Sequence, residues 1–157
     1  MTKGNDGTGN VAERDDWQTP NELFVNLNTQ YRFSFDCCAS MNNTKCYYFS
    51  KNFEGTSKIE LRNAICWMNP PFSKAHIMFE HFFKVVTQGV CIYRCDNMET
   101  KIWQEVILKN ASWIFIPKGR ISYEGKEGKR SRFPSALIGF NVEPPKDLKI
   151  EGKLLFT

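Results

Sequence analysis

Asn69, Pro70, Pro71 and Phe72 close a short apolar run, Ile65–Met68, with an amide, two imino acids and an aromatic ring. Two consecutive prolines donate no backbone hydrogen bond and fix φ, which excludes a helix interior or a central strand. The run therefore reads as a buried strand that stops abruptly on a stiff turn. Such a turn offers two acceptors in fixed directions, the Asn69 side-chain oxygen and the Pro70 carbonyl, with the flat apolar face of Phe72 beside them. A planar ligand with an exocyclic amino group can stack on the ring and donate both amino hydrogens to the pair.

Adenine is such a ligand. The lone pair of its N6 is delocalised into the ring, so N6 is a poor nucleophile. Two acceptors on its hydrogens favour a pyramidal nitrogen and aim the lone pair at an electrophile on the other side. This is positioning and electrostatic stabilisation, with no covalent enzyme intermediate and no metal. The cysteines agree: Cys37, Cys38, Cys46, Cys66, Cys91 and Cys95 include no C-x-x-C pair, and His76 and His81 lie on a different segment. No metal is expected; buried free thiols in a reducing cytoplasm are. A base in duplex DNA would first have to leave the stack, a cost that an aromatic platform helps to offset.

These side chains need elements to hold them. A chain of 157 residues, 41% apolar and 24% charged, is long enough for one domain with a real core, expected over residues 15–157. Residues 1–14, rich in Gly, Asn and Thr, are expected to form a flexible tail. They lack the apolar stretch of a signal peptide, and no run approaches the roughly 20 residues of a membrane span, so a cytoplasmic protein is expected. The net charge of +4 is modest, and its distribution matters more.

Thr19 and Pro20 ahead of Leu23, Phe24 and Leu27 predict a short amphipathic helix, with Thr19 as N-cap and Pro20 at the first helical position. The stretch RFSFDCCAS reads as a strand ending near Asp36. Residues 41–62 read as loop with a short helical turn. After the Asn69–Phe72 turn, Ile77, Met78, Phe82, Val85 and Val86 mark a helical face with Ser73 as its N-cap. GVCIYRC, ASWIFIP, RISYEG and SALIGFNV read as further strands, and METKIWQEVILKN as a helix with Ile102, Trp103, Val106 and Ile107 inward. The last stretch, from Glu143, reads as a terminal extension. Strands alternating with helices require crossovers, hence an α/β fold with a mostly parallel sheet flanked by helices. Ligands bind such sheets beyond the carboxyl ends of the strands, where one crevice would collect Asp36 and Asn69.

A basic cluster, Lys118, Arg120, Lys126, Lys129, Arg130 and Arg132, interleaves with glycines, Tyr123 and Phe133 between two strands. A cationic loop with aromatics suits phosphate and base contact; a solvated β-hairpin fits the same pattern.

Asn-Pro-Pro-Phe resembles the catalytic (D/N/S)-P-P-(Y/F/W) motif of amino-methyltransferases that use S-adenosylmethionine. DDWQTPNELFVNL, FSFDCCAS, WMNPPFS, METKIWQEV, FIPKGRISYEG and FPSALIGF, in that order, are similar to the phage-type DNA N6-adenine methyltransferases from about Asp16 to Phe140. The resemblance implies a compact Rossmann-like methyltransferase fold. It also implies transfer of a methyl group from S-adenosylmethionine to adenine N6 in double-stranded DNA. It makes Asn69, Pro70, Pro71 and Phe72 the catalytic turn. It sets Asp36 against the cationic methionyl end of the cofactor and lines the cofactor pocket with Trp17, Thr19, Pro20 and Asn69. Arg120, Tyr123, Lys126, Lys129, Arg130 and Arg132 become the DNA contacts, because the stretch between Asp36 and Asn69 is too short for a large recognition domain.

Each assignment has a plainer counterpart: Asp36 as cap of the next turn, Trp17 as core, Thr19 as N-cap. The chain departs from the family pattern in three places. Cys37 and Cys38 stand where small aliphatic residues are usual, a Gly-rich F-x-G-x-G loop is missing, and Met98-Glu99-Thr100 replaces a T-D-T-like triplet. The departures around Cys37 and Met98 support an alternative, a catalytically inactive methyltransferase-like nucleic-acid-binding protein. A third reading, methylation of another amide such as a glutamine side chain, conflicts with the basic aromatic loop.

Overall fold

A strand that is apolar on both faces must be covered on both, and the central strands here are. The computed structural model describes residues 15–125 and 128–157; the expected tail, 1–14, and Lys126 lie outside the described residues. In chain order the strands are β1 (Phe35–Asp36), β2 (Tyr48–Phe49), β3 (Ile65–Met68), β4 (Gln88–Arg94), β5 (Trp113–Pro117), β6 (Ile121–Glu124), β7 (Arg130–Phe133), β8 (Ser135–Phe140) and β9 (Gly152–Phe156). Seven of them form one sheet in the order β2-β1-β3-β4-β8-β5-β9, while β6 and β7 pair as a separate hairpin.

The β2-β1-β3-β4 half is parallel, as expected. The other half is not: β8 runs antiparallel to both β4 and β5, and β9 antiparallel to β5. The expectation of a mostly parallel sheet therefore holds for half of the strand pairings. The reversal has a local cause. Between β5 and β8 the chain makes a hairpin and no helical crossover, so it returns beside β5 in the opposite direction. The expected terminal extension is an edge strand, with β9 paired to β5 from Gly152↔Pro117 to Phe156↔Trp113.

Alternation sorts the sheet residues into two cores. Cys66, Met68, Cys91, Tyr93, Ile114, Ala136 and Ile138 face one way. Trp67, Val90, Ile92, Trp113, Phe115 and Leu137 face the other. The second face is covered by α1 (Asn21–Tyr31), through Leu23, Phe24, Leu27 and Tyr31. Thr19 does not cap this helix: Pro20 holds the N-cap position, without a side-chain cap, and Thr19 is buried. A Ser57–Glu60 capping box starts the short α2 (Lys58–Leu61), the helical turn expected within 41–62.

The first face is covered by α3 (Ala75–Val85), which buries Ala75, Met78, Phe79, Phe82 and Val85. Each large side chain so buried is worth about 1.5–3 kcal/mol. Ile77, expected on this face, is 54% exposed; the i, i+3, i+4 stripe through Met78, Phe79 and Phe82 leaves it outside. Ser73 is not the cap either. It belongs to a 3₁₀ turn, Phe72–Lys74, and Lys74 precedes α3. A π-helical stretch, Ile102–Ile107, continued by α4 (Leu108–Asn110), buries Ile102, Trp103, Val106 and Ile107 as expected. Among the described residues no helix is long and apolar enough to cross a membrane.

Candidate active site

The parallel register sets Asp36 beside Trp67, two residues before Asn69, so the ends of β1 and β3 open into one crevice. A cavity of about 390 Å³ lies there, lined by Trp17, Thr19, Asp36, Cys38, Asn69 and Pro71 among others. That is large enough for a cofactor-sized ligand. Pro20, expected on the cofactor pocket, is not among its walls; it is committed to the start of α1.

Asp36 is 3% exposed. Its Oδ2 accepts the backbone N–H of Lys45 at 2.9 Å, so the carboxylate does brace the following loop. Burial pushes the carboxyl up to about 6, against the pull of the Lys45 and Cys38 backbone N–H groups and the Lys45 charge. Its Oδ1 has no partner among the described residues, and neither do Trp17 Nε1 and Thr19 Oγ1. Buried polar atoms are ordinarily paired, and these three belong to residues lining the same cavity. Cys37 is wholly buried in the first core, and burial raises both its thiol and that of Cys38. Both stay neutral and present small, uncharged side chains to the cavity.

The turn follows from its sequence. Pro70 is buried, Pro71 is extended with φ −62° and ψ 137°, and Asn69 is half-buried. The Asn69 Nδ2 donates to the Trp17 carbonyl at 2.9 Å. A carbonyl can only accept, so the amide is oriented with Oδ1 left over as an acceptor. Behind the turn, the Ser73 N–H donates to Asp15 Oδ1 at 2.9 Å, and the Ser73 hydroxyl donates to Asp15 Oδ2.

Phe72 joins the turn to the hairpin. Its ring meets Phe133 edge-on at 5.3 Å and Tyr93 at 6.1 Å. The Arg94 guanidinium lies 5.0 Å from the Phe72 centroid and 5.1 Å from that of Phe133. It is also forked onto Asp96, at 2.8 and 2.6 Å. Sequence reasoning missed Asp15 and Arg94. A charged residue at the end of the apolar strand GVCIYRC was the available signal for Arg94; Asp15 had none.

The hairpin pairs Ile121↔Phe133, Ser122↔Arg132, Tyr123↔Ser131 and Glu124↔Arg130. One face, with Ile121, Tyr123 and Phe133, is buried; Arg120, Lys129, Arg130 and Arg132 are exposed, and Arg130 reaches Glu124 at 3.7 Å. Tyr123, expected to contact DNA, is 1% exposed, its hydroxyl 2.7 Å from Ser135 Oγ. The period of two that exposes the arginines turns this ring inward.

No curated protein matches the chain. The family model described as DNA N-6-adenine-methyltransferase (Dam) matches residues 7–141. That span takes in the whole cavity, the Asn69–Phe72 turn and the basic hairpin. The chain therefore belongs to the DNA N-6-adenine-methyltransferase family and is an adenine-N6 DNA methyltransferase.

Proposed function

We propose that the cavity between the ends of β1 and β3 holds S-adenosylmethionine, and that the hairpin grips double-stranded DNA while the target adenine, flipped out, meets Asn69–Phe72. When bound, S-adenosylmethionine supplies the methyl group. One observation carries the reading. Trp17, Thr19 and Asp36, each with a buried polar atom unpartnered among the described residues, line one cavity that also takes in the oriented amide of Asn69.

The donor set fits that cofactor: the Asp36 carboxylate suits a methionyl ammonium, and Trp17 Nε1 and Thr19 Oγ1 suit its polar groups. Asn69 Oδ1 and the Pro70 carbonyl accept the two N6 hydrogens, and both bonds strengthen as positive charge develops on N6. An amide is no base, so the surplus N6 proton leaves to water. Phe72 stacks on the adenine and holds its plane. Arg120, Lys129, Arg130 and Arg132 neutralise phosphates, with Lys126 assigned to the same role from the sequence alone. Residues 15–157 act as one unit in this reading. The free thiols among the described residues fit a reducing cytoplasm.

Single-turnover methylation by Asn69→Ala, at saturating cofactor and DNA, tests the assignment. The variant is expected to fold, bind cofactor and lose at least about 100-fold in rate. A rate within about threefold of the parent, less than 1 kcal/mol in the barrier, would return Asn69 to a structural role.

A further inference from the structure

Two prolines leave the catalytic turn short of its own donors, so its position depends on anchors supplied from outside. Phe72 packs on the hairpin, and among the described residues the hydrogen bonds that hold the Asn69 side chain and Ser73 come from one short segment, Asp15–Trp17. The Trp17 carbonyl accepts Asn69 Nδ2 at 2.9 Å, and the Asp15 carboxylate takes both the N–H and the hydroxyl of Ser73. The same segment is tied to the hairpin. Gln18 N donates to the Glu124 carbonyl at 2.8 Å and Glu124 N donates back to the Gln18 carbonyl at 3.1 Å, a one-residue antiparallel bridge at the end of β6. Trp17 completes the join: a Cβ on Gly125 would sit 2.5 Å from the indole, and Phe133 meets that ring at 5.9 Å.

We propose that Asp15 is a positioning residue for methyl transfer: through Ser73 it clamps the far end of the turn, in a strap that links the hairpin to the acceptors at N6. The proposal rests on the reading of Asn69–Phe72 as the catalytic turn. Asp15 is half-buried and Ser73 exposed, so the pair adds little to stability; its effect is geometric. Misplacing a reacting group by about 1 Å can cost roughly 100-fold in rate.

The test is single-turnover methylation of DNA by Asp15→Ala, Ser73→Ala, the double variant and Ser73→Thr, each with a thermal melt, alongside Asn69→Ala. Asp15→Ala is expected to lose roughly 10- to 100-fold at saturating cofactor and DNA, with its melting temperature nearly unchanged. Ser73→Ala, which keeps the N–H, loses less, the double variant is no slower than Asp15→Ala, and Ser73→Thr stays near the parent rate. Multiplying losses in the double variant, or a parent-like rate in Asp15→Ala while Asn69→Ala is inactive, would overturn the clamp. A defect confined to the KM for cofactor would overturn it too, since Asp15 also lines the cavity. If Asn69→Ala itself keeps its rate, the reading of the turn falls, and the clamp with it.

Discussion

Replacing Asp36 with Asn separates what the cavity costs the protein from what it does for the ligand. Burial pushes this carboxyl from 3.8 up to about 6. About two units at 1.36 kcal/mol each put the cost of the charged form in the folded protein near 3 kcal/mol. The sign follows from linkage: the folded state holds the Asp36 proton more firmly than the unfolded chain. Its contribution to stability is full below about pH 4, falls as pH rises to about 6, and is flat beyond. Asp36→Asn removes that dependence, so the variant without ligand is expected to melt no lower than the parent at pH 8. Ligand binding runs the other way. A cationic methionyl end needs the carboxylate ionised, and at pH 5 only about a tenth is, so parent affinity for S-adenosylmethionine should be roughly tenfold weaker at pH 5 than at pH 8. Asn cannot supply the charge, so its affinity should be lower by about 1.5–3 kcal/mol at pH 8 and flat with pH. Calorimetric titration of both proteins from pH 5 to 8 reads these slopes directly. Parent affinity that does not change over that range, or parent-like affinity in Asp36→Asn, would refute the assignment.

Three further outcomes are expected. Alanine at Arg120, Arg130 and Arg132 should flatten the log–log salt dependence of duplex binding by about 0.9 per lost phosphate contact and leave cofactor affinity alone; an unaltered slope would make the hairpin a solvated ornament of the fold. Tyr123→Phe loses the bond to Ser135 and about 1 kcal/mol of stability, read in a melt, with the salt slope preserved; a changed slope with an unchanged melt would return Tyr123 to the DNA. Gly139→Ala places a Cβ 1.9 Å from the Trp113 indole and should cost about 1–3 kcal/mol or more by denaturant titration; an unmoved midpoint would contradict that packing.

The end of β3 was legible because proline is unambiguous: Asn69-Pro-Pro-Phe could only end a strand, and the structure ends β3 at Met68. Asp36 was legible by the same logic of strand ends. What misled was residue type read without period. Tyr123 looked like a base-stacking ring in a basic loop, yet Ile121, Tyr123 and Phe133 share the inward face of a hairpin. Thr19 looked like a cap and is instead buried among the residues that line the cavity, one place before the N-cap Pro20. Strand direction was not legible either, since nothing in SALIGFNV distinguishes a strand reached through a helix from one reached through a hairpin. β9 was missed because, with Lys153 between Gly152 and Leu154, it carries no alternation to read. The strap through Asp15 was invisible for a different reason: its partners, Asn69, Ser73 and Glu124, are remote in sequence, and no local pattern encodes them.

The place of β8 matters while the chain is being made. It lies between β4 and β5 in the sheet yet follows both in the chain, so a ribosome releases the two outer strands before the one that joins them. At about 5–20 residues per second, the edges of β4 and β5 stand open for a few seconds, with Val90, Ile92 and Trp113 not yet covered by Leu137. Unpaired apolar edges are templates for pairing with another chain. The nascent chain is therefore most open to aggregation, and most in need of a holding chaperone, between the emergence of Arg94 and that of Phe140. The β6–β7 hairpin ends that interval, because its second strand leads through Pro134 directly into β8.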